Sequence, residues 1–136
     1  MNLKVAIQGV AGCYHDAAAR HYFAITKPHA EIETVESPSF SQMFSDLDCD
    51  PSLVGIVAIE NTIAGALLQN HELLRRSSLT VVGEYKMRIS HVLAALPGQR
   101  LTDIREAHSH PMALMQCEQS VSYTHLRAHE TELHLV

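Results

Sequence analysis

The run from Gly55 to Gly65, GIVAIENTIAG, constrains this chain more than any other stretch. Four of its first five residues are apolar, the pattern of a strand buried on both faces. The apolar character stops at Glu60-Asn61-Thr62, a carboxylate, an amide and a hydroxyl in succession. Small and glycine-containing residues follow, and then a helical pattern. In open α/β sheets, ligands bind outside the carboxyl ends of the strands. Three polar side chains at such a tip can meet a substrate without disturbing the core. Capping of the next helix by Asn61 or Thr62 accounts for one of them, but not for all three.

The rest of the sequence alternates in the same way. Strands are expected over 3–8, 32–35, 54–59, 79–84 and 88–96. Helices are expected over 16–23, 37–47 and 64–76, with another beginning at Pro111. The second helix opens on Ser37-Pro38-Ser39, residues suited to a first turn. Phe40, Met43, Phe44 and Leu47 then share one helical face. In the third helix, Leu67, Leu68, His71 and Leu74 fall on one side. Pro97-Gly98-Gln99-Arg100 reads as a turn, and Leu101, Ile104 and Ala107 as a short helix or turn. Strand–helix alternation with right-handed crossovers gives a largely parallel sheet.

At 136 residues and 46% apolar, the chain has material for one domain or one and a half small lobes. It has no apolar run of transmembrane length, so no membrane partner is expected. Met1-Asn2-Leu3-Lys4 leads straight into a strand with no signal peptide, so a cytoplasmic location is expected. A net charge of −5 argues against nucleic acid as a partner, because phosphate binding needs clustered Lys and Arg. Cys13, Cys49 and Cys117 form no CxxC pair and read as reduced thiols. The ten histidines lack the usual zinc spacings, so no metal site is expected.

Two further clusters sit between elements. Gly9-Val10-Ala11-Gly12-Cys13-Tyr14-His15 joins a strand to a helix but lacks the third glycine of a dinucleotide fingerprint and the lysine of a P-loop. It reads either as a loop whose N–H groups meet an anion at a helix N-terminus or as a tight turn. Ser109-His110-Pro111 opens the last helix. Pro111 suits its first position, Ser109 suits a cap, and His110 is a candidate general acid with no orienting carboxylate near it in sequence. Gln116 and Cys117 lie one to two turns into that helix; Cys117 reads as a small core hydrophobe rather than a nucleophile. The stretch 121–136 differs in kind, with no clear period. VSYTHLRAHET, 121–131, resembles the translation of an adapter used in DNA sequencing. On that reading 121–136 is a foreign tail, and it is left out of the fold argument.

Taken together, the clusters resemble prephenate dehydratase from Val5 to about Gln119. IQGVAGCYHDAAA is similar to that family's glycine-rich opening segment. Ser39-Phe40 and Met43-Phe44 resemble its serine–phenylalanine helix, and GIVAIENTIAG resembles its Glu-Asn signature. VVGE, ISHVLAALPG and SHPMALMQC follow in matching order. Cys13 stands where serine or threonine is common, and Met112 where glutamine is usual. The resemblance implies a two-lobed α/β fold, like a periplasmic binding protein, with largely parallel sheets. Lobe one would be 1–79 and lobe two a truncated 80–120.

It also implies the reaction of prephenate to phenylpyruvate, water and carbon dioxide in phenylalanine biosynthesis, with no cofactor and with a homodimeric parent protein. In that scheme Glu60 is the candidate to position or assist a catalytic acid. Asn61, Ser109 and Gln116 would hydrogen-bond the substrate. Thr62 and His110 would line the site, and Gly9, Gly12 and Tyr14 would shape its floor. The family's threonine–arginine–phenylalanine motif and its ACT domain would fall beyond Ser120, so the chain as written is expected to be inactive. The alternatives are arogenate dehydratase, which tolerates an amino group on the substrate side chain, and a non-catalytic small-molecule-binding module.

Overall fold

The first strand, β1 (Asn2–Gln8), lies in the middle of a three-stranded parallel sheet, between β2 (Glu31–Ser37) and β3 (Val54–Ile56). The structure is a computed structural model and describes residues 2–62 and 65–118, together with the backbone of 127–130. It divides into two units, Met1–Arg88 and Ile89–His134.

The alternation of β1 determines how the first unit packs. Leu3, Val5 and Ile7 face one side, where they meet Ala19 and Phe23 of α1 (Tyr14–Thr26). Ala6 faces the other, against Met43, Phe44 and Leu47 of α2 (Phe40–Cys49). Val5, Ala6 and Ile7 are 0% exposed, so both faces of the strand are covered. The order β2-β1-β3 means that the crossover from β1 to β2 runs one way and the crossover from β2 to β3 runs back. Two crossovers of the same hand then place their helices on opposite faces, as the two clusters show.

α2 forms as its sequence predicts. The Ser39 hydroxyl accepts the Gln42 N–H at 3.2 Å, and Met43, Phe44 and Leu47 form the buried face. The other elements depart from expectation in informative ways. α1 extends past 16–23 at both ends, to Tyr14 and Thr26. β3 ends at Ile56 rather than 59, because the next carbonyls leave the ladder for α3 (Leu68–Arg76): Asn70 Nδ2 donates to the Ala58 carbonyl and the Leu67 N–H to the Ile59 carbonyl, both at 2.8 Å. α3 starts later than 64 because Gly65–Ala66 (β5) turns back to pair antiparallel with Glu60–Asn61 (β4). The delayed start rotates the buried face to Asn70, Leu73 and Leu74. His71 is exposed and Leu68 is 75% exposed, contrary to the expected stripe.

The strands expected over 79–84 and 88–96 do not form among the described residues. A few residues there pack through their side chains, while Val81, Val92 and Leu96 stay exposed. Leu79 joins the Met43 cluster, Gly83 lies against Tyr22, and the Tyr85 ring meets the rings of His21 and Tyr22 edge-on, with centroids 6.4 Å away in each case. Val82, at 85% exposed, packs on little.

In the second unit, the expected turn closes with Gln99 N–H donating to the Leu96 carbonyl at 3.2 Å, and Gly98 takes a positive φ. A single 3-10 turn over Leu101–Asp103 follows. Ala107 belongs not to that turn but to β6 (Glu106–Ser109), which runs into α4 (Pro111–Gln116). β6 pairs in parallel with β7 (Arg127–Glu130), inside the stretch that sequence set aside as patternless. The β7 sequence, RAHE, has a single apolar residue and so no alternation to mark it.

Gly55 approaches α2 so closely that an added Cβ would sit 2.6 Å from Leu47 Cδ1. Gly55→Ala is expected to cost about 1–3 kcal/mol by overpacking. In urea unfolding this appears as a lower midpoint with an unchanged slope, and an unaltered midpoint would contradict the packing described.

Candidate functional site

In the first unit, the carboxyl ends of β1 and β3 lie side by side, because Ile7 pairs with Ile56. β1 leads away to β2 on one side, while β3 lies on the other, so the order of strands reverses between β1 and β3. Such reversals open a crevice outside the strand tips. Two of the segments singled out in the sequence leave the sheet here: Gly9–Gly12 after β1, and Val57–Thr62 after β3.

The glycine loop turns on the positive φ of Gly9 (106°) and Gly12 (85°), a region in which a Cβ is strained. Four N–H groups between Gly9 and Cys13 are engaged within the protein. Gly9 donates to the Ser37 carbonyl at 3.0 Å and Cys13 to the Val10 carbonyl at 3.1 Å. Ala11 donates to Glu36 Oε1 at 2.7 Å, and Gly12 to Asp16 Oδ2 at 2.9 Å. The anions at this helix start are therefore the protein's own carboxylates, and the tight-turn reading describes the loop as folded. Asp16 is buried and also takes Arg20 Nε at 3.0 Å. Its carboxyl is held below the usual range, first by the Gly12 N–H and then by the Arg20 guanidinium, against the opposing effect of burial.

Tyr14 begins α1 and is exposed, and the next residue, His15, turns inward. The His15 ring meets Phe40 edge-on, with centroids 5.4 Å apart, and its Nε2 is buried with no hydrogen-bond partner among the described residues. Burial lowers the His15 pKa, and a hydrogen bond to the Gln8 backbone opposes that shift.

Glu60 and Asn61 occupy adjacent positions of β4, so their side chains project to opposite faces. Glu60 is exposed and Asn61 half-buried, and Thr62 follows, exposed, in the turn. The three polar residues are thus adjacent in the chain but do not all point one way.

In the second unit, Ser109 closes β6 and is half-buried. His110, not Ser109, caps α4: its Nδ1 accepts the Met112 N–H at 3.2 Å. With Nδ1 acting as acceptor, the ring proton sits on Nε2. The cap leaves the Nε2 edge of the ring as the one turned away from the helix end. Gln116, at the end of α4, accepts His91 Nε2–H on its Oε1 at 2.6 Å. Sequence reading missed His91, which falls in a segment whose apolar character suggested a strand. Cys13, Cys49 and Cys117 are free thiols.

A parallel sheet covered by helices on both faces makes the first unit an α/β fold, of the periplasmic-binding-protein-like type to which its structural neighbour belongs. The particular family follows from comparison with known proteins. The family model described as prephenate dehydratase matches residues 5–133, and the chain belongs to that family. Arogenate dehydratase 2 of Petunia hybrida is 35% identical over 120 residues, covering 88% of this chain and 29% of that protein. Arogenate dehydratase/prephenate dehydratase 2, chloroplastic, of Arabidopsis thaliana is 34% identical, covering 88% and 30%. Among solved structures, GqqA, described as a novel type of quorum quenching acylases, aligns with a TM-score of 0.72 at 29% identity, covering 94% of this chain and 45% of that one. The chain thus spans about three tenths of the curated relatives it matches.

The lowered pKa of His15 has a definite sign. Below the ordinary value of 6.5 the unfolded chain takes up a proton that the buried ring refuses, so stability is full above that pH and is lost as pH falls below it. Denaturant titrations from pH 8 to pH 5 are expected to show this loss, and His15→Phe is expected to flatten it. Parallel curves for the two proteins would contradict the assignment.

Proposed function

We propose that the polypeptide carrying this sequence is a dehydratase of prephenate in aromatic amino-acid biosynthesis. Prephenate loses its ring carboxylate as carbon dioxide and its 4-hydroxyl as water. The C–C bonding pair enters the ring as the C–O bond breaks, and one proton is needed by the departing hydroxide. The chemistry therefore calls for a proton source and for groups that hold two carboxylates in place.

Among the residues at hand, Asn61, Ser109 and Gln116 are assigned to hydrogen bonding with the substrate. Thr62 and His110 supply further polar contacts. Glu60 is assigned to positioning or assisting the acid, and Gly9, Gly12 and Tyr14 to shaping the site. His91 supports the Gln116 assignment: its Nε2 lies 2.6 Å from Gln116 Oε1 and holds that side chain in place. The observation that carries the reading is the position of Glu60–Thr62, just past the β3 tip where the strand order reverses, in a chain of this family. A second reading, arogenate dehydratase, is favoured by the names of the plant relatives. It differs in a substrate side chain that bears an amino group.

Asn61→Ala in a full-length polypeptide carrying this sequence is expected to lower prephenate turnover at least tenfold with the fold intact, or about 1.4 kcal/mol of barrier. Unchanged kinetics would contradict the assignment. The ratio of kcat/KM for prephenate and arogenate, measured on the same protein, separates the two substrate readings.

A further inference from the structure

We propose that Asn70 is the positioning residue of the Glu60–Asn61–Thr62 segment, acting through the backbone of Ala58. The proposal rests on the reading that this segment meets the substrate.

Asn70 lies on the inner face of α3 and is 1% exposed, and its neighbours on that face, Leu73 and Leu74, pack into the Met43 cluster. It is the buried residue of a helix whose other polar groups are at the surface. Burying an amide costs free energy unless its hydrogen bonds are made. A leucine, which branches at the same carbon, would present no polar group to satisfy there. What the amide adds is direction: its Nδ2 donates at 2.8 Å to the Ala58 carbonyl, twelve residues back in the chain and two before Glu60.

The bond falls where the sheet has stopped holding the chain. The β3 ladder ends at Ile56, and β4 begins at Glu60. Between them, consecutive carbonyls are held from the first turn of α3. Asn70 takes that of Ala58, and the Leu67 N–H takes that of Ile59 at 2.8 Å. Asn70 is tied to the same turn, since its own N–H donates to the Leu67 carbonyl at 2.9 Å. Two adjacent carbonyls fixed to one helix end set the direction in which Glu60 and Asn61 leave the sheet. The β4–β5 hairpin, Glu60 opposite Ala66 and Asn61 opposite Gly65, then starts from that fixed point. A two-residue ladder cannot hold itself in place, so its aim is inherited from the clamp.

The test compares wild type with Asn70→Leu and Asn70→Asp in the intact chain. Amide exchange is read at Glu60, Asn61 and Leu67 and at the β1 control residues Val5, Ala6 and Ile7, and prephenate affinity is measured by calorimetry. Asn70→Leu is expected to speed exchange at the first set at least tenfold, leave the β1 amides unchanged and weaken prephenate binding at least tenfold. Asn70→Asp, ionised, has no proton for the Ala58 carbonyl and should behave alike; protonated at lower pH it regains one, and the local exchange, corrected for intrinsic rate, should slow again. Uniform acceleration that includes β1, or no acceleration, overturns the proposal. So does unchanged prephenate affinity in Asn70→Leu when wild type binds. Local acceleration in a chain whose wild type does not bind prephenate upholds the clamp and overturns the substrate reading instead.

Discussion

Everything in the first unit depends on the pairing of β1 with a parallel strand on each side. With Val5, Ala6 and Ile7 fully buried, that strand can be satisfied only by helices above and below, and the small Ala6 leaves room for Met43 on the α2 side. The same pairing brings the tips of β1 and β3 together at the point where strand order reverses. The location of the polar clusters is therefore a consequence of core packing. Their chemistry is a property of the few residues that follow each strand tip.

Those residues are held by bonds made inside the protein. Glu36 and Asp16 close the glycine loop from two directions, one from the end of β2 and one from the first turn of α1. The Glu60–Asn61 hairpin hangs from α3 through two carbonyls. In the second unit, His110 is committed to a helix cap and Gln116 to His91. In each case a backbone or side-chain partner holds the residue in place.

The sequence was most legible where local chemistry alone decides structure. The Ser39 cap and the apolar spacing of Phe40 to Leu47 require nothing from outside α2, and the sequence located that helix closely. The start of α4 at Pro111 was equally plain. Legibility failed where tertiary bonds override local pattern. Val57, Ala58 and Ile59 are as apolar as β3 itself, and only the α3 donors show why the ladder stops at Ile56. The buried face of α3 was misplaced because a two-residue hairpin, invisible to periodicity, takes up the residues before it. The apolar run 79–96 suggested strands, but its residues pack on α1 and α2 or stay exposed. In the site, residue types were readable, whereas directions were not: nothing in Glu60-Asn61-Thr62 as a string announces that the first two point to opposite faces.

The most direct test of the account is backbone NMR of the chain titrated with prephenate. Amide shifts are expected to move at Glu60–Thr62 and at Ser109–Gln116, saturating together, while Val5, Ala6 and Ile7 stay fixed. Saturation with no movement at either cluster, or shifts spread evenly over β1, would contradict it.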